Sequence, residues 1–127
     1  PNQGEAEALT GIAVHDVESA RRAADELRGR GATVAIVKLG ADGAYASSPE
    51  FAGHFPPFNV SPVATVAAGD AFNGGLAVGL AEGMKLRDAV WLAMASGASS
   101  VTRAGAQESM GRREEVDRLL ASRTSVP

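Results

Sequence analysis

Ala67, Ala68, Gly69 and Asp70 stand together at the head of an apolar, small-residue helix pattern, an order of residue types that suits phosphoryl transfer. A helix start offers unpaired backbone N–H groups and the positive end of the macrodipole, so it can hold an anion. Ala67, Ala68 and Gly69 carry almost no side chain, which lets a bulky anionic group approach that backbone closely. Asp70 would place a carboxylate beside the bound group, ready to accept a proton from an attacking hydroxyl. Positioning and charge stabilisation supply most of the catalysis in such a reaction. A plainer reading stays open at this point: Asp is a frequent helix cap, and Asp70 could do only that.

Two further segments keep company with this one. Residues 1–11 carry Asn2 and Glu5 ahead of a run of helix formers, and residues 101–107 read Val-Thr-Arg-Ala-Gly-Ala-Gln. The first resembles the Asn-x-x-Glu segment of the ribokinase-like (PfkB) sugar kinases. Residues 67–74 resemble that family's anion-hole and catalytic-base signature. Residues 101–107 are similar to its C-terminal loop, in the form typical of the ribokinase branch. The three occur in the family's order over most of the chain.

The resemblance implies a Rossmann-like, three-layer α/β/α ribokinase-like fold, here its C-terminal half only. Residues 1–127 are read as the C-terminal part of a carbohydrate kinase domain, with the sugar-binding and lid part lying N-terminal to Pro1. It further implies Asp70 as general base, and the amides of Ala67, Ala68 and Gly69, with that of Asp70, as the anion hole. Asn2 and Glu5 would lie near the nucleotide phosphates. Glu5 would organise the water shell of Mg²⁺, an ion that keeps several of its waters. Lys38, Gly40 and Gly43 would border the nucleotide, and Met94 stands where family members often carry Asn against the adenine. A monovalent cation would take the backbone carbonyls of Val66, Ser100, Arg103 and Gly105 and the hydroxyl of Ser109. The aspartate usual in that set is Ala64 here, so the ligands lose their only carboxylate. Weak or absent activation by K⁺ is the expectation.

The implied activity is ATP-dependent phosphorylation of a sugar hydroxyl in the cytoplasm, with ribose the first candidate and ATP and Mg²⁺ as cofactors. A homodimer is among the assemblies to expect. Two alternatives stand beside this: a non-catalytic nucleotide-binding or oligomerising fragment, and a kinase of a nucleoside or vitamin-precursor hydroxyl.

Elements must hold these residues in place. The patterns predict a short helix over 5–9 and an amphipathic helix over 16–28 that Asp16 caps, with Glu18–Arg22 and Arg22–Glu26 pairs on its solvent side. A buried, β-branched strand follows over 33–39, which with the preceding helix reads as half of a βαβ unit. Asp42–Gly43 suits a hairpin turn into a strand over 44–47, and a third strand is expected over 51–55. Pro56, Pro57 and Pro62 keep the next stretch extended. Helices are expected over 71–82, 85–102 and 114–123, the first carrying Gly74, Gly75 and Gly79 for close packing. A loop over 103–110 and a frayed tail over 124–127 complete the reading. His15 and His54 read as surface residues with no second ligand at metal spacing.

The chain has 127 residues, enough for one domain with a real core. Its 12 Lys+Arg against 15 Asp+Glu give a net charge of −3, which argues against a nucleic-acid binder. It has no cysteine, which excludes disulfides and thiolate metal sites. No apolar run approaches the length of a membrane span.

Overall fold

The structure is a computed structural model that describes residues 1–60, 67–102 and 112–123. The expected loop over 103–110 and tail over 124–127 lie outside the described residues. The chain divides into two compact units, Pro1–Pro57 and Phe58–Pro127.

The first unit holds helices α1 (Gln3–Thr10) and α2 (Val17–Gly29) and strands β1 (Ala35–Lys38), β2 (Ala44–Ser47) and β3 (Ala52–Phe55). Asp16 starts α2 by a capping box: its carboxylate accepts the Ser19 N–H at 2.7 Å, and the Ser19 hydroxyl accepts the Asp16 N–H at 3.1 Å. Small residues on the inner face of α2, Ser19, Ala20, Ala23 and Ala24, are buried. They let the helix lie close to Val37 and Tyr45 of the sheet and to Leu39 just past β1, with Val17 and Leu27 closing the margins. The solvent side is also paired, but one residue away from expectation. Arg21 takes both Glu18 and Asp25, and Arg30 takes Glu26 at 2.9 Å.

The sheet has the order β1-β2-β3, and both pairings are antiparallel, with Val37 opposite Tyr45 and Tyr45 opposite His54. The turn expected at Asp42–Gly43 is there, built as a single 3₁₀ turn over Gly40–Asp42 that reverses the chain into β2. The parallel partner that the half βαβ unit read from 16–39 calls for is not among the described residues.

The Ser19 hydrogen bonds hold the Asp16 carboxyl below its ordinary value of 3.8. A lowered carboxyl lends stability that is complete above the ordinary value and fades as pH falls through the lowered one. Asp16→Ala should lower the melting temperature by about 4 °C at neutral pH, and the gap to wild type should close on acidification. Thermal melts at pH 7 and pH 3 check this; an unchanged gap at both would show the carboxylate irrelevant.

The second unit is built on helices α3 (Ala68–Ala81), α4 (Leu86–Val101) and α5 (Arg113–Ser122). Two of the three glycines expected to pack closely, Gly75 and Gly79, meet α4, whereas Gly74 is exposed with nothing within 4 Å of its Cβ direction. A Cβ on Gly75 would lie 2.4 Å from the Ser96 hydroxyl, and one on Gly79 would lie 2.9 Å from the Ala89 Cβ. Backbones approach where side chains are missing, and this fixes α3 on α4. Leu92, Ala95 and Val116 form the core under α5, with Phe58, Met84, Leu119 and Leu120 packed around it. Trp91 closes its edge, with Phe58 edge-on at 5.8 Å and the Arg123 guanidinium 4.9 Å above the ring. Arg113 ties α5 to the end of α3 through two bonds to Glu82, at 2.8 and 3.1 Å.

Candidate active site

α3 begins three residues before the sequence pattern places it. Ala67 is its N-cap, and the first intrahelical bond runs from the Ala71 N–H to the Ala67 carbonyl at 2.9 Å. The amides of Ala68, Gly69 and Asp70 thus precede the helical ladder, and no side-chain cap of this helix is found among the described residues. Asp70 falls in the first turn, two residues past its first member, and is exposed. The capping position thus belongs to Ala67, which has no side-chain oxygen to offer, and Asp70 stands as an acid in the first turn.

The first turn is held from behind. Ala67 is buried, and a Cβ on Gly97 of α4 would lie 3.3 Å from the Ala68 carbonyl. Asp70 borders an open groove of about 430 Å³, walled by Gly74 and Val78 of α3, Ser96 of α4, and Arg113 and Val116 of α5. Arg113 was not singled out from the sequence, where only its spacing from Asp117 marked it. Its guanidinium is occupied by Glu82 and by Asp117 at 2.9 Å, and it holds the Glu82 carboxyl below the ordinary 4.5. The groove therefore combines an exposed carboxylate with a neutralised cation and apolar walls.

Met94 and Ser100 lie on α4, and both are buried. The Ser100 hydroxyl has no hydrogen-bond partner among the described residues. The remaining cation ligands, Val66, Arg103, Gly105 and Ser109, and the substituted position Ala64, lie outside the described residues.

The other candidates belong to the first unit. Asn2 caps α1 by accepting the Glu5 N–H at 2.8 Å, and Glu5 accepts the Asn2 N–H at 2.9 Å through one carboxylate oxygen. The Pro1 carbonyl accepts the Lys38 N–H at 2.8 Å, which brings this capping box to the end of β1. Gly40 and Gly43 follow in the 3₁₀ turn, so Asn2, Lys38 and Gly40 share one end of the sheet. Gly40 is exposed with open space where a Cβ would be, whereas Gly43 is buried against the Phe55 carbonyl.

Among the described residues, no group of three or more His, Asp or Glu side chains is placed to hold a metal ion. The single exposed carboxylate of Glu5 suits an ion held mainly by phosphates and water, as Mg²⁺ is. No helix among the described residues is long and apolar enough to cross a membrane.

A ribokinase of Haemophilus influenzae is 39% identical over 120 residues, covering 94% of this chain and 39% of that protein. A ribokinase of Thermotoga maritima superposes with a TM-score of 0.85 at 42% identity, over 95% of this chain and 41% of the other. Phosphofructokinase-2 of Escherichia coli, solved in complex with potassium, superposes at 0.87 with 28% identity, over 98% of this chain and 40% of that one. The chain thus spans about two fifths of the length of these relatives, and its fold is that of the ribokinase-like α/β proteins. The description of the pfkB family carbohydrate kinases matches residues 1–112, so the chain belongs to that family.

Proposed function

We propose that residues 1–127 are the C-terminal part of a kinase that transfers a phosphoryl group from ATP to a sugar hydroxyl, with ribose the first candidate. The observation that carries this reading is the first turn of α3, which no described side chain caps, with Asp70 exposed beside its amides. The acceptor oxygen attacks the terminal phosphorus, the bond to the bridging oxygen of ADP breaks, and the hydroxyl proton passes to the Asp70 carboxylate. The amides of Ala67, Ala68, Gly69 and Asp70 face the charge that spreads over the moving group. Asn2, Lys38, Gly40 and Gly43 border the nucleotide, with Met94 at the adenine, and Glu5 acts on magnesium through water. Magnesium, when bound, neutralises phosphate charge. The reaction belongs to the cytoplasm.

The kinship with ribokinases supports ribose, and the more distant phosphofructokinase-2 shows that the same fold serves another kinase. ADP release by the complete kinase, followed with ribose, deoxyribose, fructose 6-phosphate and a nucleoside, tests the reading. Release that depends on ribose supports it. A preference for the nucleoside would favour the alternative acceptor, and release with no acceptor dependence would defeat the proposal. The 127-residue chain alone should release no sugar-dependent ADP.

Potassium gives an independent test. With Ala64 in place of a carboxylate, the cation site has only neutral oxygens to offset dehydration of the ion. The rate of the complete kinase should change less than about twofold on adding KCl at fixed ionic strength, and Ala64→Asp should introduce a dependence. A steep rise with the native Ala64 would show the site misplaced.

A further inference from the structure

The turn that follows β1 is tied to β3 by a side chain that the proposed reaction leaves unused. His54 stands on β3 opposite Tyr45, and its ring is exposed. Its Nε2 lies 2.7 Å from the carbonyl oxygen of Asp42, the last residue of the 3₁₀ turn. A carbonyl oxygen only accepts, so Nε2 carries the hydrogen and donates it. The same peptide unit is held from its other side, where the Gly43 N–H donates to the Gly40 carbonyl at 3.2 Å. Of these two bonds, the one from His54 is the shorter.

Glycine is what makes this anchoring matter. Gly43 has φ +90°, and glycine enters positive and negative φ about equally readily. Half a rotation of the Asp42–Gly43 peptide would carry that φ to the negative side and exchange the places of the carbonyl and the N–H. The ends of the turn would not resist it. They are fixed separately, by the Leu39 N–H on the Gly43 carbonyl and the Lys38 N–H on the Pro1 carbonyl, both at 2.8 Å. The rotation would, however, break the bonds to His54 and to Gly40 together. Gly40, Ala41 and Asp42 are exposed, so the orientation of this peptide shapes a surface open to a ligand.

We propose that His54 is a positioning residue for ATP: it sets the orientation of the Asp42–Gly43 peptide, and so the shape that residues 40–43 offer to the nucleotide. The proposal rests on the reading that Gly40 and Gly43 border the nucleotide. His54 acts through the Asp42 carbonyl and not by touching ATP.

The test compares His54→Ala and His54→Gln in the complete kinase. Without nucleotide, hydrogen exchange of the peptide that spans residues 39–45 should quicken in His54→Ala by about 2- to 10-fold, the worth of one hydrogen bond. It should stay near the wild-type rate in His54→Gln, whose side-chain amide can donate to the same carbonyl. The KM for ATP should rise by about 2- to 10-fold in His54→Ala with kcat within about twofold, because binding shared by ground and transition states shows in KM alone. His54→Gln should bring KM back to within about twofold of wild type. The melting temperature of His54→Ala should stay within about 2 °C of wild type, since the ring is exposed. An unchanged KM in His54→Ala would overturn the proposal, and Gly40→Asn then shows where it failed. If Gly40→Asn also binds ATP as wild type does, the nucleotide does not rest on the turn. If Gly40→Asn weakens ATP binding, the turn keeps its shape without His54. A KM raised equally in His54→Ala and His54→Gln would overturn the proposal too, because the ring itself would then be what ATP meets.

Discussion

Asp70→Asn in the complete kinase should lower turnover by about 10²–10⁴-fold while ATP binding stays within about twofold of wild type. The amide keeps the shape and hydrogen-bonding reach of the side chain but cannot take the proton from the acceptor hydroxyl. Two features make this a test of chemistry rather than of folding. Asp70 is exposed, so its replacement leaves no cavity, and the cap of α3 is Ala67, so the helix start does not depend on the Asp70 side chain. The acidic residue in the first turn does favour the helix dipole, an effect of about 0.3–1 kcal/mol that a melt would register separately. Steady-state rates with saturating sugar, set beside equilibrium dialysis of ATP, give the two numbers needed. A variant that keeps more than half the wild-type rate would return Asp70 to a residue that merely suits the dipole.

The sequence made some of this legible and hid the rest for physical reasons. Asp16 was readable as a cap because the short acidic side chain ahead of an amphipathic run has one common use, and the capping box with Ser19 is there. β2 was readable to the residue, 44–47, because glycine and proline-flanked turns bound it on both sides. The start of α3 was not. A cap made by Ala67 has no side-chain signature, so the pattern marks the helix only from Ala71. The antiparallel pairing of β1 with β2 came from the turn and not from the strand: an apolar β-branched run says nothing about the direction of its neighbour, whereas Asp42–Gly43 suits a hairpin. Arg113 needed tertiary structure: its partner Glu82 lies far back in the chain, at the end of another helix. Gly40 and Gly43 looked alike as turn glycines, and only the packing around them tells them apart.

That difference carries the second large expected effect. Gly43 has φ +90° and ψ −133°, a region that side chains rarely enter, and a Cβ there would lie 2.0 Å from the Phe55 carbonyl oxygen. The Pro57 nitrogen, at 3.1 Å, blocks the neighbouring space, and both obstacles are backbone. Gly43→Ala must therefore displace the end of β3 as well as adopt a strained conformation. The expected loss is about 3 kcal/mol or more, from strain and overpacking together. Gly40 has φ +59°, where Asn is tolerated, and nothing lies within 4 Å of its Cβ direction. Gly40→Asn should cost less than about 1 kcal/mol by urea unfolding. The pair separates two reasons for a glycine in this turn. If the turn borders the nucleotide, Gly40→Asn should weaken ATP binding in the complete kinase with its stability kept, because the new side chain occupies open space beside the exposed backbone. Loss of ATP binding on Gly43→Ala would say less, since the buried position acts through β3. Should Gly43→Ala unfold within about 0.5 kcal/mol of wild type, the close approach to Phe55 is not what demands glycine there. Should Gly40→Asn bind ATP as wild type does, the nucleotide does not rest on this turn.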